Sequence, residues 1–204
     1  MSKILATSKI FTPATNPKRE NLPIRIAISG KQFSGKSTLA NLLLDKAKLH
    51  GYNPKRMALA DPLKDLVSKG LGRADREAWQ TFGTEIVRDG CEKYFGNADF
   101  WVNLYISRVI ELQETIDCFI CDDVRFPNEV QQLTAAGFFL VRLVCPASIR
   151  EKRGQATGKE YRPDHTSEVL LDNSPADDWG LWLNTANTCP AKLADRVWSV
   201  VSGS

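Results

Sequence analysis

The stretch Gly30-Lys-Gln-Phe-Ser-Gly35-Lys36-Ser37 satisfies the pattern G-x-x-x-x-G-K-[ST] and lies between an apolar run over 24–29 and a helical pattern over 36–50. That context commits the chain to strand, tight turn and helix at this point. Glycines let the turn curl until successive N–H groups face one anion, and the following helix adds the positive end of its dipole. Such a loop binds phosphate. Gly30, Ser34, Gly35, Lys36, Ser37 and Thr38 are therefore the candidate ATP contacts, with Lys36 reaching the β- and γ-phosphates and the Ser37 hydroxyl on Mg²⁺. Lys31, inside the loop, reads as surface-exposed.

Beyond the loop, strands and helices alternate. Apolar runs over 55–60, 117–122 and 138–145 and a weaker one over 181–184 predict four further strands. Helical patterns cover 62–69, 75–94, 99–114, a segment starting near Pro127, and 190–201. Continuous apolar strands between helices predict a three-layer α/β domain whose mainly five-stranded parallel sheet is covered on both faces. Ligands of such sheets gather at the carboxyl ends of the strands. The domain is expected over 23–204, with helices inserted over 61–114, preceded by an extension over 1–22 that lacks sustained periodicity.

Composition narrows the setting. A net charge of +3 is too near balance to make polymeric nucleic acid the leading partner. No stretch approaches the ~18–20 apolar residues of a membrane span. The cysteine count, 5, is odd and without a short-spaced framework, which fits a reducing cytoplasm. Cys118-Phe-Ile-Cys121 has CxxC spacing, yet it sits in a strand-like run with no second pair, so buried thiols are expected there.

A phosphate loop needs a carboxylate near its metal, and Asp122 and Asp123 at the end of the third strand both qualify. Successive strand residues face opposite ways, so one of the two is expected in the site and spacing does not choose. Arg125 can share a side with Asp123. A second basic cluster, Arg150, Lys152, Arg153, Lys159 and Arg162, lies in a segment over 148–168 with glycines at 154 and 158, as a closing lid would need. Arg150 and Arg153, three apart on one helical face, are its candidate catalytic cations. Asp61 reads equally as an acceptor contact or a helix cap. Trp79, Phe82 and Trp101 read as core packing at helical spacing.

Five separated stretches carry a family resemblance: Gly30 to Ser37; Ala58-Leu-Ala-Asp-Pro-Leu-Lys64; Gly83-Thr-Glu85 with Arg88; Asp123-Val-Arg-Phe-Pro-Asn-Glu129; and His165-Thr-Ser-Glu168. Together they resemble the deoxynucleoside monophosphate kinases of bacteriophage type, within the P-loop nucleoside monophosphate kinase group. The resemblance implies Mg²⁺-assisted transfer of the ATP γ-phosphoryl group to a deoxynucleoside monophosphate in the cytoplasm. It favours Asp123 over Asp122 beside Ser37 at the metal, and places Asp61, Lys64, Arg88, Arg125, His165 and Glu168 on the acceptor side. Lys36, Asp123, Arg125, Arg150 and Arg153 would form the catalytic set. Neither a nucleic-acid polymer nor a membrane is required, and the oligomeric state, a homodimer included, is not written in the residues. Two other readings share the loop: a kinase for dephospho-coenzyme A or a sugar, and a nucleotide-hydrolysing switch. The second lacks any Asn-Lys-x-Asp guanine signature.

Overall fold

The computed structural model describes residues 23–72, 78–79, 81–158 and 169–203, so the extension over 1–22 and Lys159, Arg162, His165 and Glu168 lie outside the described residues. Strand β1 (Ile24–Gly30) is buried along its whole length except at Arg25. Its side chains alternate between two cores, as the period of a strand requires. Ile24, Ile26 and Ile28 pack on Leu39, Leu43 and Ala47 of helix α1 (Lys36–Leu49) and on Leu193, Val197 and Trp198 of helix α7 (Pro190–Ser202). Ala27 faces the other way, into a core with Phe119 and Leu140, closed by Tyr105 and Val109 of α4 (Phe100–Leu112) and Leu133 of α5 (Pro127–Ala135).

Both faces of the sheet are thus covered, and β1 lies at its centre. The five strands are parallel in the order β2 (Pro54–Arg56), β3 (Cys118–Val124), β1, β4 (Phe139–Val144), β5 (Leu181–Asn184). The predicted three-layer α/β architecture is what the chain adopts. The remaining elements are α2 (Asp61–Leu71), a π-helix (Thr81–Arg88), α3 (Asp89–Phe95), α6 (Ala147–Thr157) and a short 3₁₀ turn (Ala176–Asp178). No helix among the described residues is long and apolar enough to cross a membrane.

Three local departures from the sequence reading matter for the site. Strand β2 stops at Arg56 instead of running to residue 60, because the Leu59 and Ala60 N–H groups donate to the Asp123 carboxylate and bend the chain into α2. The helix expected over 75–94 contains the wider π turn, where the Gly83 carbonyl accepts from Trp101 Nε1 at 2.9 Å. A Cβ at position 83 would crowd the tip of the Leu63 side chain, so glycine leaves that leucine room to pack in its present position. Third, the β1–β3 register slips between Ala27 and Ser29: Ala27 pairs with Cys121, but Ser29 pairs with Val124. The extra residue on β3 is a bulge across Asp122 and Asp123.

Cys118 and Cys121 are three apart on one strand and fall in opposite cores, so the CxxC spacing joins no shared site. Burial pushes the Cys118 thiol up to about 12 and raises Cys121 as well. Thiols held protonated and out of water are inert. Brief treatment of the native protein with iodoacetamide at pH 8 is expected to alkylate exposed Cys189 and spare Cys118 and Cys121, as read by peptide mass spectrometry.

Candidate active site

The turn after β1 is shaped by residues that no other type would replace easily. Gly30 has φ 151°, and a Cβ there would lie 2.8 Å from the Leu143 carbonyl. Gly35, with φ 98°, precedes α1, whose first turn has no side-chain cap and no acid. Its leading amides are therefore presented to an anion. Phe33 holds a left-handed φ of 62°, a strained choice for an aromatic residue, and its ring rests on Gly154 of α6, where a Cβ would meet it at 2.8 Å. Lys36 Nζ folds back to the carbonyls of Gly30 and Lys31. Lys31 itself pairs with Asp172 at 2.6 Å and is not simply exposed.

Arg153 ties this loop to the sheet. Its guanidinium donates to the Phe33 carbonyl at 3.2 Å and to the Thr185 carbonyl at 2.7 Å, while the Thr185 hydroxyl donates to the Ser34 carbonyl at 2.8 Å. Arg150 departs from the expectation. It is 5% exposed, donates through Nε to the Cys145 carbonyl and does not line the cleft, so it braces the β4–α6 turn where a lid cation was expected.

The carboxylate that meets the loop is Asp122. Ser37 Oγ donates to Asp122 Oδ2 at 3.0 Å, whereas the Asp123 oxygens accept the Leu59 and Ala60 amides at 2.8 and 3.1 Å. The bulge accounts for this, since it lets both neighbours reach the carboxyl end of the sheet instead of sending one away. Burial raises the Asp123 carboxyl above its ordinary range, opposed by those two amide bonds. Hard oxygen donors at contact distance suit Mg²⁺, which takes one or two protein oxygens and fills its octahedron with water and phosphate. Ser37 and Asp122 fit that description. No group of three or more His, Cys, Asp or Glu side chains that could hold a metal occurs among the described residues.

From the loop a cleft of about 1040 Å³ runs across the ends of β3 and β2 to the π-helix. Lys36, Arg56, Lys64, Arg88, Arg125 and Arg153 line it, against the carboxylates of Asp122, Asp123 and Glu129, so positive charge is in excess. At the far end the Arg88 guanidinium lies 3.5 Å from the Phe126 ring centroid and bonds Glu129 at 2.8 Å. Glu129, 3% exposed, also accepts the Arg125 and Phe126 N–H groups at the start of α5. Its carboxyl is raised by burial, with the Arg125 amide and Arg88 opposing. One buried acid thereby sets the position of both Arg88 and the Arg125 backbone.

Trp79 and Trp101 pack with Leu63 and Val67, as expected for core, but both also face the cleft. Lys64 Nζ stands 6.0 Å from the Trp79 ring centroid. Asp61 does not line the cleft; it is the first residue of α2, whose N-cap Ala60 carries no side-chain bond, and its carboxylate accepts the Ala58 N–H at 2.8 Å, so it fastens the β2–α2 turn instead of capping the helix. The sequence reading passed over Arg56, Glu129 and Thr185. Arg56 and Thr185 end or follow strands, where ligands of such sheets were expected, and Glu129 has the spacing of a capping acid.

Solved structures similar to this chain include APS kinase from Mycobacterium tuberculosis in complex with AMPPNP and APS, at TM-score 0.51 and 13% identity over 89% of this chain and 99% of that one. A sugar kinase from Janibacter sp. gives TM-score 0.52 and 16% identity over 87% and 94%. The fold is that of the P-loop kinases. Shikimate kinase from Acinetobacter baumannii, solved with shikimate, matches at TM-score 0.50 and 14% identity over 90% of this chain and 95% of that one. At such identities the likeness is one of fold. No family model matches the sequence, and no curated protein matches it.

Removing Glu129 would orphan a largely buried Arg88 and strip two amides of their acceptor. Glu129→Ala is expected to lower stability by about 3 kcal/mol in urea unfolding, the usual cost of breaking a buried pair from one side.

Proposed function

We propose that the protein transfers the γ-phosphoryl group of ATP to a deoxynucleoside 5′-monophosphate. The observation that carries this reading is a single cleft with the phosphate loop at one end and Arg88, Arg125 and aromatic faces at the other. Two polyanions need cations at both ends and a geometry that keeps the attacking oxygen in line with the γ-phosphorus. The restrictive stretches Gly83-Thr-Glu85 and Asp123 to Glu129 fall at the acceptor end, which favours a nucleoside monophosphate over a sugar or dephospho-coenzyme A.

On this reading the loop amides and Lys36 hold the β- and γ-phosphates, with Thr38 at the helix start beside them. Ser37 and Asp122 would hold a magnesium ion, which would supply positive charge against the phosphates. Asp123 acts through the chain: by fixing residues 59 and 60 it sets the wall against which the acceptor lies. Arg88 and Arg125 take the acceptor phosphate, and half-buried Trp79 offers a face to its base, with buried Trp101 backing that wall. An acceptor phosphate oxygen attacks the γ-phosphorus, the bond to the β,γ-bridging oxygen breaks, and ADP leaves. The attacking oxygen is already ionised, so no general base is required. Arg153 steadies the loop from the lid side; His165 and Glu168 remain acceptor-side candidates, and the segment over 148–168 would close the cleft.

ADP release should be measured with ATP, Mg²⁺ and a panel of deoxy- and ribonucleoside monophosphates, with shikimate, APS and sugars alongside. Turnover of a deoxynucleoside monophosphate is the expected result; turnover of a non-nucleotide acceptor alone would replace the acceptor half of the reading. Lys36→Ala is expected to lower kcat by at least ~100-fold, as loss of one preorganised transition-state contact does. Arg88→Ala and Arg125→Ala should raise KM for the monophosphate more than KM for ATP, whereas equal rises would mark a structural role.

A further inference from the structure

The Ser37–Asp122 pair is already claimed by a cation of the chain. Arg56, the last residue of β2, donates through Nε to Asp122 Oδ1 at 2.9 Å and through Nη2 to Asp122 Oδ2 at 2.5 Å. The same Nη2 lies 3.0 Å from Ser37 Oγ, and Nη1 reaches Asn41 Oδ1 at 2.9 Å. The fork takes both carboxylate oxygens, and the serine oxygen that would face a metal accepts from the guanidinium. Asp122 is buried while Arg56 is one-third exposed and lines the cleft, so the acid is fixed and the cation has room to leave.

We propose that Arg56 is a built-in counter-cation that occupies the seat of the divalent metal and must swing off Asp122 before metal can bind there. The inference rests on the phosphotransfer reading for the identity of that seat. A guanidinium and a magnesium ion cannot both sit at contact distance from the same two oxygens, so the two compete. Without nucleotide the buried carboxylate keeps a partner and the seat repels stray divalent ions. With nucleotide, the phosphates offer Arg56 a second anionic partner inside the same cleft, which lowers the cost of its leaving. Metal and nucleotide would then bind cooperatively through one side chain.

The test is Mn²⁺ binding without nucleotide, followed by electron paramagnetic resonance, in wild type, Arg56→Gln and Arg56→Lys. Arg56→Gln is expected to bind Mn²⁺ at least about tenfold more tightly, since removing a unit charge at contact is worth more than that factor even at an effective dielectric of about 20. Arg56→Lys, which keeps the charge, should stay close to wild type. In melting experiments Arg56→Gln should unfold at lower temperature than wild type and recover on adding Mg²⁺, while wild type barely moves. Adding Asp122→Asn to Arg56→Gln should abolish the gain in Mn²⁺ affinity. Equal affinity in all three proteins, or a gain that survives Asp122→Asn, would overturn the proposal while leaving the phosphotransfer reading standing. Failure of the wild-type protein to bind ATP in a Mg²⁺-dependent way would overturn that reading and this inference with it.

Discussion

Everything in this structure is arranged around one requirement: a backbone turn rich in N–H groups must be held open at the end of a strand buried everywhere but at Arg25. Burying β1 between β3 and β4 fixes the turn in space, and two glycines with positive φ give it its curl. The turn's remaining freedom is removed from outside, by Arg153 and Thr185 beneath and by Gly154 against the Phe33 ring. Preorganisation of this kind moves the cost of ordering the loop from ligand binding into folding, where two hydrophobic cores offset it.

Around that turn the charges form nested pairs. Asp122 is matched by Arg56, Glu129 by Arg88, and Asp123 by two backbone amides. Asp122 and Glu129 are buried and Asp123 is partly so, and each has a partner that keeps its burial tolerable. The acids serve to aim the surrounding cations and loops, and cationic side chains outnumber carboxylates along the cleft. Placing Asp123 among amides rather than beside Ser37 separates two duties that the sequence presents as adjacent letters.

The central strand, the phosphate loop and α1 were legible because their signals are local: an apolar run, a glycine pattern and a helical period within thirty residues. The sheet's composition followed from the apolar runs, and with it the expectation that ligands gather at strand ends. The choice between Asp122 and Asp123 was not legible, because it turns on a bulge defined by pairing with a strand nearly a hundred residues earlier. Alternation, applied as if β3 were regular, gave only that one acid should face the site; the bulge brings both. Arg56 was hidden for a similar reason, its partner lying 66 residues away. Arg150 misled because charge in a basic cluster suggests exposure, while burial depends on a carbonyl acceptor that composition does not reveal.

Arg153 makes contact with the phosphate loop and with the end of β5 from a helix, α6, that belongs to neither. Three pieces of backbone are thus joined through one rigid planar group, so the phosphate loop, the residue after β5 and α6 share a single point of anchorage built from main-chain carbonyls.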